Sequence, residues 1–283
     1  MKILTAIRVK LTDGEQASTG AKYYEKYYKG KQGLDCYLKL MEVIKYHRGH
    51  NIEDARVARR IAEEAIEMCP ENPRAYLMLG WIHQMEYLLG IGKSPRESIE
   101  KGIELAQKAL AMDDSIASAH GLLSLFYSYK REYDKSIAEA ERAVALDPGG
   151  SIVNMHYAMS LNYAGRSEEA IPMFQKAIRL DPVGTTSIYL HFGSALRITG
   201  RFEEAVSAYK KSVQREPNNI FAHVGLAATY STMGREKEAR IEAAEVLRIN
   251  PKFSVDSYAK ILPFKDQSVI DNMISAMRKA GLK

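Results

Sequence analysis

The sequence predicts an all-α solenoid, in which pairs of antiparallel helices stack one on another. The first observation behind this prediction is a 34-residue pattern that recurs four times in succession. Its copies cover residues 117–150, 151–184, 186–219 and 220–253, and Thr185 is the single residue between the second and third. The second observation is that every copy has a glycine or arginine turn near its middle and a proline near its end. Several positions recurring at one fixed period strongly indicate a repeat fold.

Each copy predicts two helices joined by a tight turn. Glycine suits this turn because it adopts the left-handed backbone conformation without a steric penalty, and it is present as Gly165, Gly200 and Gly234. A proline stops the second helix, since its ring does not fit a helix interior; these prolines are Pro148, Pro182, Pro217 and Pro251. Phe174 and Tyr209 share one position of the repeat, and we expect them to fill the space between helix pairs.

The period and the recurring positions resemble the tetratricopeptide repeat, W-x2-L-G-x2-Y…A-x3-F…P. The matching residues include Leu123 and Tyr127; Ala170, Phe174, Ala177 and Pro182; Tyr189, Phe192, Gly193, Ala205, Tyr209 and Pro217; and Leu226, Tyr230, Ala239 and Pro251. The resemblance implies a right-handed superhelix whose first helices line a concave groove. It also implies a protein or peptide as the partner.

Two less regular units precede the four copies, at 34–72 and 73–116. The second of them is about ten residues longer than the period, and we place the extra residues around EYLLGIGKSPRES, between its two helices. The solenoid of about six units is therefore predicted to span residues 34–253. Residues 254–283 are predicted to cap it, with a break at Pro263 and a final amphipathic helix.

Residues 1–33 are expected to form a helical lead-in, the remnant of an upstream domain or a linker. An apolar face that includes Leu4 and Ile7 leaves three alternatives open: docking into the solenoid, contact with an anionic membrane, or contact with a missing segment. In AKYYEKYYKG, tyrosines spaced four residues apart favour packing against the first unit over a nucleic-acid patch.

Charge and composition exclude several classes of protein. The net charge of the chain is +5, but residues 51–283 hold 30 basic and 30 acidic side chains, which argues against a nucleic-acid partner. The sequence has no apolar run long enough for a transmembrane segment and no cleavable signal at its start. Cys36 and Cys69 form no CxxC pair, which we interpret as a reducing compartment. A cytoplasmic location is predicted.

No motif assembles a catalytic or cofactor site. His120 with His223, and His156 with His191, recur at equivalent repeat positions, which indicates packing roles. His47 and His50 near Asp54 leave a surface metal site as the less favoured alternative. The GIGKS sequence at 90–94 lacks the first glycine and the spacing of a phosphate-binding loop. We therefore predict a non-catalytic chain without cofactor or metal.

The predicted partner site is a groove rich in methionine and aromatic residues, which suits an apolar segment. Its residues are Leu77, Trp81, Met85, Leu125, Tyr129, Met155, Met159, Tyr163, Leu190 and Arg197. A groove filled by the chain itself, with homo-oligomerisation as the role of the protein, is the alternative.

Both ends of the sequence carry a further resemblance. ILTAIRVKLTDGEQA at 3–17 resembles the close of the TolB-like region in bacterial class III adenylate/guanylate cyclase proteins, which tetratricopeptide repeats follow. YAKILPFKDQSVIDNMISAMRKAGL at 258–282 resembles the segment that ends many of the same chains. The resemblance implies the regulatory arm of a cyclase-like signalling protein, without the catalytic residues of the cyclase.

Overall fold

The computed structural model describes residues 26–47, 52–182 and 186–283, and in these ranges it contains fourteen α-helices and no strand. The all-α class predicted from the sequence is confirmed. The predictions for the start of the lead-in, up to residue 25, and for His50 lie outside the described residues. No helix within the described ranges is long and apolar enough to cross a membrane.

The first compact unit of the chain ends at Leu122 and the second begins at Leu123. The first unit contains α1 (Gly30–His47), α2 (Ile52–Met68), α3 (Pro73–Leu89) and α4 (Pro95–Met112). Helix α5 (Ala117–Tyr129) contains the division between the units.

The second unit continues the alternation of first and second helices of each repeat. Its helices are α6 (Tyr133–Leu146), α7 (Ser151–Tyr163), α8 (Ser167–Leu180), α9 (Thr186–Ile198), α10 (Phe202–Arg215), α11 (Ile220–Thr232) and α12 (Glu236–Ile249). Two further helices, α13 (Val255–Ile261) and α14 (Gln267–Lys279), follow the last repeat.

Local sequence signals explain where several helices begin. The Asn72 side chain accepts a hydrogen bond from the backbone N–H of Arg74 at 3.0 Å, directly before α3. The Ser94 hydroxyl accepts one from the N–H of Glu97 at 3.1 Å, directly before α4. In both helices proline is the first residue, where its missing N–H would have had no helical partner.

The extra residues of the unit at 73–116 lengthen its helices as well as its linker. Helices α3 and α4 have 17 and 18 residues, whereas α7 and α8 of a regular repeat have 13 and 14. Their linker runs only from Gly90 to Ser94. The sequence placed the insertion near the correct position, but about one turn of it belongs to each helix.

Close packing in the second unit depends on glycines that face an aromatic ring. A Cβ atom added to Gly193 would lie 2.8 Å from the ring of Tyr209, and one added to Gly225 would lie 2.5 Å from it. Tyr209 is 2% exposed, and it packs between first helices of consecutive repeats. This is the space-filling role predicted for Tyr209.

A disulfide in the first unit corrects the interpretation of the cysteines. Cys36 in α1 and Cys69, directly after α2, are bonded to each other, with their Cα atoms 6.2 Å apart. Two cysteines far apart in sequence gave no spacing signal for a pair. Disulfides are typical of oxidising compartments, so the cysteines no longer support the predicted reducing compartment.

Candidate peptide-binding groove

The segment between α13 and α14 contacts the turn before α6, the start of α6 and the end of α7 in the second unit. Three consecutive carbonyl oxygens of the segment accept hydrogen bonds. The Arg131 guanidinium donates to the carbonyls of Leu262 (3.3 Å) and Phe264 (2.9 Å). The Tyr133 hydroxyl donates to the carbonyl of Pro263 at 3.1 Å. These bonds hold the main chain of the segment and do not depend on its side chains.

An aromatic contact and one further hydrogen bond complete this interaction. The ring of Phe264 lies 5.2 Å from the ring of Tyr163, and the interplanar angle of 73° gives an edge-to-face pair. The N–H of Lys265 donates to the carbonyl of Tyr163 at 2.8 Å. Phe264 is 5% exposed. The segment at 262–265 is therefore bound as a peptide ligand would be, through its main chain and one buried ring.

Arg131 occupies a backbone position that is glycine in the other three regular repeats. Its φ angle is +61°, and the equivalent glycines Gly165, Gly200 and Gly234 have φ angles of +84°, +77° and +76°. An L-residue in this region is destabilised by about 1–2 kcal/mol relative to glycine. The residue in this strained turn is the one that donates two hydrogen bonds to the C-terminal segment.

The predicted groove residues of the second unit are mostly buried. Leu190 is partly exposed, whereas the others are 2–8% exposed: Leu125, Tyr129, Met155, Met159, Tyr163 and Arg197. Phe264 covers Tyr163, and Tyr258 of α13 stacks on Phe221 of α11 with ring centroids 6.0 Å apart. The chain thus fills part of this face with its own C-terminal segment.

The predicted groove residues of the first unit lie on α3. Leu77 and Met85 are buried, and Met85 belongs to the core cluster formed with Val43 and Ile61. Trp81 is partly exposed, and its ring lies 6.4 Å from that of His47. Within this unit Trp81 has the most accessible side chain of the three.

A separate cavity of about 480 Å³ lies in the first unit beside the linker from α3 to α4. Arg59, His83 and Glu86 are among the residues that line it. Arg59 donates two hydrogen bonds to Glu86, at 2.7 and 2.6 Å, and His83 lies 3.2 Å from the same carboxylate. Burial raises the pKa of Glu86, but the hydrogen bonds from His83 and Arg59 outweigh it and lower the pKa to about 2. Glu86 is therefore an ionised structural partner and does not act as a base.

His156 and His191, which share one repeat position, lie on first helices of the second unit; His156 is 2% exposed and His191 is partly exposed. Burial lowers the pKa of His156 to about 3, with a smaller contribution from His191, and burial lowers the pKa of His191 to about 4. Both side chains are therefore neutral at pH 7. Among the described residues, no group of three or more His, Cys, Asp or Glu side chains is placed to hold a metal ion.

Sequence reasoning predicted Tyr163 but missed two other residues that bind the C-terminal segment. Tyr133 and Arg131 lie at the start of a second helix and in the turn before it, outside the positions from which the groove was predicted. One signal was available, because Arg131 replaces a turn glycine in a chain that otherwise keeps it. The contact itself joins residues about 130 apart in sequence, which the repeat pattern does not encode.

Comparisons with known proteins identify the repeat. A family model described as tetratricopeptide repeat matches residues 127–185 and 158–220, and another of the same description matches residues 196–262. A search of the curated proteins finds no match. The chain contains tetratricopeptide repeats over this region.

Several solved structures share the fold at low sequence identity. PilW, a widely conserved type IV pilus biogenesis factor, is 20% identical with a TM-score of 0.54; the match covers 74% of this chain and 88% of PilW. TTC0263, a thermophilic TPR protein of Thermus thermophilus, is 19% identical with a TM-score of 0.54, over 73% of this chain and 99% of that one. The match to a chain of the APC/C hetero-tetramer Cut9–Hcn1 covers 90% of this chain and 48% of that one, at 14% identity and a TM-score of 0.60.

These likenesses show the fold, and with the family models they define the class of protein. The chain is an all-α tetratricopeptide-repeat solenoid, as the sequence predicted. This fold supports the prediction of a scaffold for protein–protein interaction. The resemblance of the chain ends to cyclase proteins stays a prediction.

Proposed function

We propose that the second unit binds an extended segment of a partner protein in the place where the chain's own segment 262–265 lies. The observation that carries this proposal is the ligand-like binding of that segment through three carbonyl groups, one N–H and one buried aromatic ring. Main-chain hydrogen bonds supply affinity in peptide recognition, and a side-chain pocket supplies specificity. Met155, Met159, Tyr163 and Leu190 form the apolar part of the proposed groove.

The chain's own segment competes with a partner in this proposal. A covalently attached ligand has an effective concentration in the millimolar range when its linker is short. A partner must therefore bind more tightly than the attached segment or act after the segment is weakened. The groove is filled at rest and becomes available when the segment leaves.

The proposal is tested with a fluorescein-labelled peptide of sequence YAKILPFKDQS, residues 258–268, and the full chain. We expect the Phe264→Ala chain to bind this peptide at least tenfold more tightly than the native chain, because loss of the ring weakens the attached competitor. Fluorescence anisotropy measures the affinity, and circular dichroism establishes that the variant keeps its helicity. If the Phe264→Ala variant loses helicity, the Phe264→Leu variant is used in its place.

Two matched controls define the site. A peptide that carries Phe264→Ala should not bind the same chain, and the Phe264→Ala/Tyr163→Ala chain should not bind the parent peptide. Equal affinity of the native and Phe264→Ala chains for the peptide would contradict competition for one groove. Binding that survives Tyr163→Ala would place the peptide elsewhere.

Homo-oligomerisation is a second candidate, favoured by the same observation, since the C-terminal segment of one copy can fill the groove of another. Light scattering distinguishes the two, because this exchange gives a mass that rises with concentration and that Phe264→Ala reduces. An unchanged monomer mass across the concentration range would contradict it.

The finer role in signalling rests on the resemblance of residues 258–282 to the end of bacterial cyclase proteins. That stretch contains the segment bound in the groove. In this proposal the chain is the cytoplasmic regulatory arm of a cyclase-like protein, with the groove as its regulated site. The thiol state of Cys36 and Cys69 in intact cells tests the location, because a cytoplasmic chain is expected to keep both reduced.

A further inference from the structure

Arg197, one of the predicted groove residues, is a buried cation to which the described residues supply no counter-ion. Arg197 lies in the last turn of α9 and is 8% exposed. Its Nε atom has no hydrogen-bond partner, and no carboxylate oxygen of the described residues lies within 4.0 Å of its guanidinium. Arg201, directly before α10, offers a contrast, since it forms an ion pair with Glu204 at 2.7 Å on the surface.

Two tyrosine hydroxyl groups lie near Arg197. Burial raises the pKa of Tyr209, and the positive charge of Arg197 and a hydrogen bond from its guanidinium oppose that rise. Burial also raises the pKa of Tyr258, and the charge of Arg197 opposes that rise as well. A neutral hydroxyl group accepts a hydrogen bond but supplies no counter-charge. A buried charge that is not paired strongly disfavours the state that contains it.

The attached C-terminal segment leaves this charge uncompensated. Its contacts are made by carbonyl groups, one N–H and aromatic rings, and Tyr258 of α13 lies near Arg197. The attached segment therefore supplies partners for Tyr163 at one end of the groove, but it supplies no counter-ion for Arg197 at the other end.

We infer that Arg197 is the anchor for an acidic side chain, Asp or Glu, of the partner segment. The inference rests on the proposed groove and adds a chemical requirement to it. A partner with a carboxylate at this point makes a charge-assisted hydrogen bond that the attached segment lacks. That difference lets the partner displace a competitor present at high effective concentration.

The geometry of the attached segment sets the spacing of the partner motif. Tyr258 precedes Phe264 by six residues. The chain is helical from Tyr258 to Ile261, in α13, and extended from Ile261 to Phe264. Rises of about 1.5 Å and 3.3 Å per residue give a separation of about 14 Å. A fully extended ligand covers that distance in about four residues. The expected motif is an acidic residue about four positions before an aromatic one.

The test uses a series of C-terminally amidated peptides based on YAKILPFKDQS and the Phe264→Ala chain. Glutamate replaces one residue at a time at the positions of Tyr258, Ala259, Lys260 and Ile261, and a glutamine peptide is the matched control at each. We expect one position to bind about tenfold more tightly as Glu than as Gln, the size of a charge-assisted hydrogen bond. Fluorescence anisotropy measures each pair.

Two chain variants show whether Arg197 is responsible. In the Phe264→Ala/Arg197→Met chain, the tenfold preference for Glu should vanish, and methionine keeps the buried site apolar and filled. In the Phe264→Ala/Arg142→Met chain, which loses a largely exposed arginine of α6, the preference should remain. A preference that persists without Arg197 would overturn the assignment.

The outcomes separate this inference from the proposed function. Equal affinity for Glu and Gln peptides at every position, with binding of the parent peptide intact, overturns the role of Arg197 and leaves the groove standing. Failure of the parent peptide to bind overturns the groove itself. A parent peptide with a free C-terminal carboxylate could instead bind tenfold more tightly than the amidated one, with no preference for Glu in the series. That result would show that Arg197 binds the C-terminal carboxylate of a partner and would overturn the assignment to an acidic side chain.

Discussion

The two units of the chain are stabilised by different means. In the first unit, whose repeats depart from the 34-residue period, specific links join particular side chains: the Cys36–Cys69 disulfide and the Arg59–Glu86 ion pair. In the second unit the repeats keep the period, and glycines pack against the ring of Tyr209. Regular repeats reproduce the same interface at every step, so no single link is needed. An irregular repeat loses that regularity and relies on individual contacts.

This difference predicts where each perturbation acts. A change in a specific link of the first unit should loosen α1 to α4, whereas a change in repeat packing should loosen α7 to α12. Native-state hydrogen exchange resolves such local opening, since amides report the stability of the region that contains them. The predictions below use that readout in order of falling expected effect.

The largest effect is expected from removal of the disulfide. The Cys36→Ser/Cys69→Ser variant opens a loop whose ends are 33 residues apart in sequence. The chain-entropy relation gives a loss of about 4 kcal/mol in the free energy of unfolding of the first unit. Hydrogen exchange should accelerate in α1 and α2 and stay unchanged in α9 to α12.

A reductant supplies the matched control for this prediction. Treatment of the native chain with a phosphine reductant should give the same acceleration, and treatment of the double serine variant should add nothing. Equal exchange in the native chain and the variant would show that the disulfide does not stabilise the first unit. Acceleration spread evenly over both units would contradict the comparison.

The second prediction concerns pH and the buried histidine of α7. Above pH 6.5 His156 is neutral in the folded and unfolded states, so stability does not depend on it. Below pH 6.5 the unfolded chain takes up a proton that the folded chain refuses until about pH 3. The free energy of unfolding therefore falls by about 3 kcal/mol for this residue between pH 6.5 and pH 4.

Urea unfolding at a series of pH values measures this loss. The His156→Asn variant should show a flatter profile between pH 6.5 and 4, because asparagine takes up no proton in this range. His191, whose pKa is lowered to about 4, leaves a residual slope in the variant. Parallel profiles for the native chain and the variant would exclude His156 as a source of the acid sensitivity.

The third prediction breaks the regular packing of the second unit. Gly225→Ala places a Cβ atom 2.5 Å from the Tyr209 ring, so the ring or the helix must shift. Overpacking costs about 1–3 kcal/mol, and the better helix propensity of alanine recovers up to about 1 kcal/mol. We expect a net loss of about 1–2 kcal/mol, measured by urea unfolding and located by exchange in α9 to α11.

A double-mutant cycle tests the cause of that loss. In the Tyr209→Leu background the smaller side chain leaves room for the new methyl group, so Gly225→Ala should have no cost there or should stabilise the helix. Additive effects of the two substitutions would show that the glycine is not required by the ring.

The sequence predicts the second unit far better than the links that complete it. The period gives its helices, and the shared position of Tyr209 gives its packing, because these depend on contacts between adjacent repeats. The Cys36–Cys69 bond and the Arg131 contacts join residues whose proximity depends on the folded path of the chain. The predicted groove residue Tyr163 was placed from the repeat, but its covering by Phe264 followed only from the structure.

The smallest effect is expected at the turn where arginine replaces glycine. Arg131→Gly relieves the left-handed strain, a gain of about 1 kcal/mol, and removes two hydrogen bonds to the C-terminal segment, each worth about 1 kcal/mol. The global free energy of unfolding should therefore change by no more than about 1 kcal/mol. The backbone N–H of Lys265 donates a hydrogen bond to the carbonyl of Tyr163. Hydrogen exchange at this N–H should nevertheless accelerate, because the segment leaves the groove.

The reciprocal substitution sharpens the same point. Gly200→Arg introduces the strain at an equivalent turn, with a φ angle of +77°, where no segment accepts the guanidinium bonds. It should destabilise the second unit by about 1–2 kcal/mol and leave exchange at Lys265 unchanged. If Arg131→Gly also left that exchange unchanged, Arg131 would be a tolerated replacement in a repeat turn. An accelerated exchange in Arg131→Gly alone ties the strained turn to retention of the segment, because the strain then persists only where it positions a donor for the groove.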